Sequence, residues 1–248
     1  MRNADQNSTY SLQIIHNNHP SRQEVERYIA TRYRAAFHAN LSQFMPAFMA
    51  VYDQSQQLHA ACGFRIADQG PLFLEQYLSQ PAEAAILSCC GIRVQREKLV
   101  EFGQLASFSP GMSPRHFWMM AQYLVDAGYE WAIFTATDPL YAMLTLLGLK
   151  MTILSAASPD VIPDAAQTWG TYYHHQPRVS VGNLAEGLQQ LSQRFFQIIQ
   201  PSRGLRRIIN MDTVLGALAH FATTTPAHPA LIGRAHGQRP RLCGLRPR

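Results

Sequence analysis

Between Leu99 and Leu154 the chain reads as strand, helix, strand, helix, strand, and few folds accept that order. Leu99–Ser107 (LVEFGQLAS) is strand-like, and Gly103 in its middle predicts a bulge or a close backbone approach. A loop with Pro110 and Gly111 follows. Ser113 is then the expected N-cap and Pro114 the first residue of a helix that stops at Gly128. Trp131–Thr137 (WAIFTAT) reads as a buried strand. Asp138-Pro139 opens a helix that ends at Leu147 before Gly148, and 150–154 forms another strand. Strands alternating with helices specify an α/β layer around a central sheet.

The first hundred residues supply further elements. Ser21-Arg-Gln-Glu24 has the form of a capping box, and Val25, Tyr28, Ile29, Ala36 and Phe37 recur at helical spacing, giving a helix to about Asn40. Residues 48–52 and 58–65 are apolar runs around the polar turn Asp53–Gln57, which predicts an antiparallel hairpin. Residues 71–77 are ambiguous between helix and strand, whereas 81–90 reads as a short helix.

Composition excludes several classes. Of 248 residues, 47% are apolar and 15% charged, too rich in core-forming residues for a disordered chain and long enough to bury a full core. The four cysteines, Cys62, Cys89, Cys90 and Cys243, include no C-x-x-C pair, so neither a disulfide framework nor a metal site is expected. Met1–Asn18 lacks the apolar segment of a signal peptide. Ala142–Leu154, the longest apolar run, is broken by Lys150. A cytoplasmic protein is the expectation.

Charge divides the chain. Residues 1–200 carry 13 Lys/Arg against 15 Asp/Glu, while 201–248 carry eight arginines against Asp212 alone. The basic pI therefore belongs to the tail, and the body is not expected to bind nucleic acid. The reading is a domain over 1–200, a basic amphipathic helix over 201–225 and a disordered Arg/Pro-rich tail over 226–248. Arg203, Arg206 and Arg207 precede an apolar face of Leu205, Ile208, Ile209, Met211, Leu215, Leu218 and Phe221. Residues 203–222 could thus contact an anionic membrane, or pack on the body or a second subunit.

A strand opened by a bulge can offer N–H and C=O groups to an amide-bearing ligand arm. A following helix N-terminus can hold a pyrophosphate. The residues carry a resemblance of the same kind. The order from Leu99 to Leu154 resembles the second half of the GNAT acyltransferase superfamily. LFLEQYL (72–78), VEFGQLAS (100–107), FTAT (134–137) and WGTYYHHQPRVSVGNL (169–184) are similar to the thermostable hemolysin family. The run from Glu101 and the helix ending at Gly148 also resemble acyl-homoserine-lactone synthases, with Gln104 where those carry an arginine.

The resemblance implies a GNAT-like α/β fold, a central mixed sheet flanked by helices. It implies an acyltransferase that moves an acyl group from a coenzyme A or acyl-carrier-protein thioester to a small amine, with no permanently bound cofactor. Glu101 would be the catalytic base or amine anchor. Gly103, Leu105, Ala106, Ser107, Gly111, Met112 and Ser113 would hold the donor, and Gln104, Trp169, Tyr172 and Tyr173 the acceptor or acyl chain. Other readings stand beside these. Glu101 could sit in a salt bridge or a hydrogen bond to an exposed edge, the aromatic residues could be a lid over the sheet, and Ser107 and Ser109 could cradle phosphate or be turn formers. Cys62 reads as a buried strand residue, and His174 and His175 as surface histidines. The family's name implies the alternative function, a toxin acting directly on membranes.

Overall fold

The computed structural model describes residues 10–109 and 111–199. Its elements in chain order are β1 (Ser11–Ile15), α1 (Arg22–Phe37), β2 (Ala47–Tyr52), β3 (Leu58–Ile66), α2 (Ala82–Cys90), β4 (Leu99–Ser107), α3 (Met112–Asp126), β5 (Trp131–Ala136), α4 (Asp138–Leu146), β6 (Thr152–Ala156), α5 (Ala165–Trp169), β7 (Arg178–Asn183) and α6 (Leu184–Ile199). The strands form one mixed sheet in the order β1-β2-β3-β4-β5-β7-β6. Among the described residues β4 and β5 are its parallel pair, linked by α3 as a crossover, and the other neighbours are antiparallel.

Strand alternation divides the core into two layers. On one face Phe48, Ala50, Tyr52, Ala61 and Ala106 meet Val25, Ile29 and Tyr33 of α1. Farther along the same face, Leu99, Ile133, Val179 and Val181 meet Leu72, Leu74 and Ile86 of the 67–98 segment. On the other face Met49, Cys62, Val100 and Ala132 meet Met120 and Leu124 of α3 and Leu184 of α6. The Trp118 indole N–H donates to Ser192 Oγ at 2.9 Å and joins α3 to α6.

Several boundaries differ from those expected. Ser21 precedes α1 but makes no capping bond, and the helix ends at Phe37, with His38 left-handed. α3 starts at Met112, after left-handed Gly111, so Ser113 and Pro114 are its second and third residues rather than its cap and first. Pro114 costs little there, because the first four helical N–H groups have no partner inside a helix. Residues 73–77 form a 3-10 turn, and β6 begins at Thr152. The helix expected over 201–225 and the tail over 226–248 lie outside the described residues.

One arginine that the sequence did not single out fastens the 67–98 segment. Arg96 donates to the Ala67 and Gly70 carbonyls at 2.8 and 3.1 Å, to both Glu75 oxygens at 2.7 and 3.0 Å, and to Glu83 at 2.6 Å. Glu75 in turn accepts from the Leu72 and Ala82 N–H groups. Burial pushes the Glu75 carboxyl up, but Arg96 and these two N–H groups outweigh it and bring it down to about 2. The carboxylate thus stays ionised and pins the LFLEQYL segment against the sheet.

Candidate functional site: a gap between parallel strands

β4 pairs with β5 only from Leu99 to Phe102, opposite Trp131 to Phe134. β4 then runs on to Ser107 bonded to β3 alone, and β5 runs on to Ala136 bonded to β7 alone. Beyond Phe102 and Phe134 the facing edges therefore carry backbone groups with no ladder partner across the gap.

A bulge accompanies the divergence. Gly63 faces Gly103 and Ala61 faces Ala106, so three steps on β4 match two on β3. The residue in the left-handed region is Gln104, with φ 54°, so the bulge sits one position beyond the glycine that predicted it. The close approach falls elsewhere too. A Cβ on Gly63 would lie 2.5 Å from Met45 Cγ, whereas one on Gly103 would lie 3.6 Å from Met45 Cε and Sδ, an ordinary contact.

Gln104, expected to hold the acceptor, spends its amide on the protein. Its Oε1 accepts from the Met45 N–H at 3.0 Å, and its Nε2 donates to the Gln43 carbonyl at 2.8 Å. Arg22 fastens the same loop through the Met45 and Pro46 carbonyls, at 2.7 and 3.0 Å. Gln104 therefore sets the shape of the gap by clamping the 43–46 loop.

Glu101 lies on the paired half of β4 and is only 2% exposed. Its carboxylate accepts from the Phe73 N–H at 3.0 Å and the Leu74 N–H at 2.9 Å, so it anchors the start of the 3-10 turn Phe73–Tyr77. Of the two structural alternatives for Glu101, a salt bridge or a hydrogen bond, the hydrogen bond is the one found among the described residues. Arg65 pairs with Glu101 across the ladder but donates its guanidinium to the Pro71 carbonyl. Burial raises the Glu101 carboxyl above its ordinary range, against the pull of the two N–H groups and Arg65. One lone pair on each oxygen remains for a further proton or donor.

The predicted aromatic residues come together beside this carboxylate. Trp169, Tyr172 and Tyr173 pack with Phe73 and Tyr77 in edge and tilted contacts of 5.3–6.2 Å. The Tyr77 and Tyr173 hydroxyls lie 2.7 Å apart, and Tyr172 donates to Thr135 Oγ1 at 3.1 Å, just past the last paired residue of β5. Burial raises Tyr77 far above the ordinary phenol range, with Tyr173, Tyr172 and Glu101 adding to it, so the hydroxyl stays protonated. Gly170 makes the wall possible. Its φ of 54° carries the chain back onto α1, and a Cβ there would lie 2.1 Å from the Phe37 carbonyl oxygen. Tyr77 and Thr135 were not singled out individually, although LFLEQYL and FTAT, which contain them, were. No local spacing marks them as facing one gap.

The other predicted donor residues lie farther along β4. Leu105 packs on the α3 face and Ala106 on the α1 face. Ser107 Oγ donates towards the His59 and Ser109 carbonyls, both at 3.3 Å. Gly111 is exposed, Ser113 is half-buried at the start of α3, and Met112 is buried against Val51 and Ala60, a packing residue. The structure thus puts Glu101 with the aromatic wall at one end of the gap and Ser107, Gly111 and Ser113 beyond the other. Burial pushes the Cys62 thiol up to about 12, which leaves it inert. His174 is exposed, and the His175 ring packs 5.4 Å from Phe37. Among the described residues no group of His, Cys, Asp and Glu is placed to hold a metal ion, and no helix is long and apolar enough to cross a membrane.

Solved structures share this fold, two synthases among them. An N-acyl amino acid synthase from uncultured soil microbes, FeeM, superposes with a TM-score of 0.51 at 15% identity, covering 76% of this chain and 98% of its own. The AHL synthase LasI superposes with a TM-score of 0.50 at 11% identity, covering 71% and 91%. The mixed sheet flanked by helices is the GNAT-like fold of these synthases. No curated protein matches the sequence. The family model for thermostable hemolysin matches residues 15–188, and this chain is a member of that family.

Proposed function

We propose that this protein is an N-acyltransferase that moves an acyl group from a coenzyme A or acyl-carrier-protein thioester to a small amine, giving a lipid-like amide. The observation that carries the reading is the gap between β4 and β5, where two parallel strands part after Phe102 and Phe134 while each stays bonded to its outer neighbour. A pantetheine arm carries amides that match such backbone edges, and N–H groups lining the gap can polarise the thioester carbonyl. Ser107, Gly111 and Ser113 near the start of α3 are the proposed contacts for the donor's phosphates. The names of the two structural neighbours, synthases of acylated amines, support the same chemistry.

In this scheme the amine nitrogen attacks the thioester carbon, the C–N bond forms and the C–S bond breaks. Glu101 accepts the amine proton, a task suited to a carboxylate whose pKa burial has raised. The thiolate leaves and takes up a proton. Tyr77, Trp169, Tyr172 and Tyr173 form the wall for the acyl chain or acceptor. The donors are cytoplasmic thioesters, and we place the reaction there. The basic 203–222 segment is proposed to touch anionic membrane, and truncation after Pro201 should then weaken vesicle binding while transfer to a soluble amine continues.

Untargeted lipid profiling of cells expressing the wild type or Glu101→Gln tests the assignment. An N-acylated species present only with the wild type is expected, and identical profiles would overturn it. The family's name favours a second reading, lysis by the protein itself. Lysis of red cells by purified protein with no thioester or amine added would select that reading.

A further inference from the structure

Just past the gap, three side chains are arranged in a way that acyl transfer to an amine does not use. His59 on β3 lies with Nδ1 2.7 Å from Ser109 Oγ and Nε2 2.8 Å from Asp53 Oδ2. The other Asp53 oxygen accepts from the Ser55 N–H and hydroxyl at 2.8 and 2.7 Å and from the Gln57 N–H at 3.0 Å. These bonds hold the carboxylate in the β2–β3 turn. The Ser55 hydroxyl above all, then His59 and Gln57, keep the Asp53 carboxyl well below the usual range. An ionised Asp53 can only accept, so the neutral imidazole that contacts it carries its proton on Nε2 and offers Nδ1 as acceptor to Ser109.

We infer that Asp53, His59 and Ser109 form a second reactive centre, a serine nucleophile with its base and orienting acid, that hydrolyses carboxylic esters or thioesters. The order of groups is the one that activates a serine: hydroxyl on imidazole, imidazole on carboxylate. The imidazole nitrogens exchange their usual partners, which leaves the proton path intact because either nitrogen can serve as the base.

The surroundings suit an acyl substrate. The side chains of His59 and Asp53 are 15% and 19% exposed, enough shelter to keep the relay ordered and enough access for a substrate. Tyr10 packs edge-on against His59 at 5.2 Å. Phe108, the residue before Ser109, is 47% exposed, with the Arg32 guanidinium 5.5 Å from its ring centroid. Tyr28 lies against the Phe108 ring, and its hydroxyl accepts from the Phe108 N–H at 2.8 Å, fixing the strand end. α3 begins three residues beyond Ser109, with the Met112 N–H bonded to the Ser109 carbonyl at 3.2 Å. The N-terminus of α3, with the positive end of its dipole, thus follows Ser109 closely along the chain.

The chemistry balances without any cofactor. Ser109 Oγ attacks the acyl carbon, the ester C–O or thioester C–S bond breaks, and His59 passes the serine proton to the leaving group. Water then attacks the acyl-serine, His59 takes its proton and returns it to Ser109, and the acid is released. A constellation that served only to tie the β2–β3 turn to the loop after β4 would do none of this.

The test is intact-mass spectrometry of the purified full chain with a fluorophosphonate probe, together with p-nitrophenyl acetate hydrolysis. One adduct on Ser109 is expected in the wild type. The adduct and the hydrolysis should be lost in Ser109→Ala, and labelling should slow at least ~100-fold in His59→Gln. Ser109→Ala removes one hydroxyl and should melt close to the wild type, which separates lost chemistry from lost fold. An unlabelled wild type, or Ser109→Ala labelled at the wild-type rate, would overturn the assignment. The readout needs neither a thioester donor nor an amine, so its failure leaves the acyl-transfer reading standing.

Discussion

Gly63 and Gly103 face each other across β3 and β4, and alanine at the two positions should fail in different ways. At Gly63 the new methyl would lie 2.5 and 2.6 Å from Met45 Cγ and Cβ and 3.1 Å from the Gly103 carbonyl. The near end of Met45 cannot swing aside, because Gln104 holds its N–H and Arg22 its carbonyl. Relief therefore requires moving the loop by about 1 Å, an overpacking cost of about 2–3 kcal/mol. That corresponds to a fall in Tm of about 4–12 °C for a domain of this size. At Gly103 the methyl would meet the flexible tip of Met45 at 3.6 Å, and φ is not left-handed, so stability should change by less than about 1 kcal/mol. Gly103 nevertheless sits where the strands part, and the larger Gly103→Val should weaken acyl-thioester binding at least tenfold while the protein stays folded. Differential scanning fluorimetry and donor titration on the variants give both readouts. Equal melting temperatures for Gly63→Ala and the wild type would refute the packing argument. Unchanged donor affinity in folded Gly103→Val would remove the gap as the donor site.

His116 is fully buried, bonded through Nε2 to the Met49 carbonyl at 3.1 Å, and burial brings its pKa down to about 4. The unfolded chain binds that proton near pH 6.5, so the stability it contributes is complete above pH 6.5 and is lost as pH falls towards 4, about 3 kcal/mol in all. His116→Gln keeps a donor for Met49 and cannot charge. Urea melts at pH 7.5 and 4.5 should show the wild type losing about 2.5 kcal/mol more than this variant, and parallel losses would refute the assignment. Glu101→Gln should lower turnover ~10²–10⁴-fold. It should also cost about 1–2 kcal/mol, because a glutamine offers one acceptor to the Phe73 and Leu74 N–H groups; an unchanged melt would mean that the carboxylate does not anchor the turn. Arg96→Lys cannot serve five acceptors with one ammonium and should lose about 2 kcal/mol or more by urea titration, with hydrogen exchange rising first in residues 67–90.

Local chemistry was enough to read the β2–β3 hairpin, β4, α3, β5 and α4, because each rests on its own periodicity and on flanking turn residues such as Gly128 and Gly148. Period-two alternation holds on β4 only as far as Phe102: past the bulge at Gln104, Leu105 joins Val100 and Phe102 on the α3 face and Ala106 turns to the α1 face, the reverse of strict alternation. What the sequence could not determine depends on residues far apart along the chain. The gap between β4 and β5 exists because β3 and β7 each hold one strand past the point where the pair separates, and no local pattern encodes which neighbour a strand keeps. The bulge went to Gln104 rather than Gly103 because the loop at Gln43 and Met45 rewards its amide with two hydrogen bonds, enough to hold a left-handed non-glycine residue. Glu101 found its partners 27 and 28 residues away, and Ser109 met His59 at a separation of 50. Periodicity and composition fixed which elements form and which faces are buried. Only tertiary packing decided which polar groups meet, because directional hydrogen bonds between distant residues are set by the register of the sheet and not by neighbours in the chain.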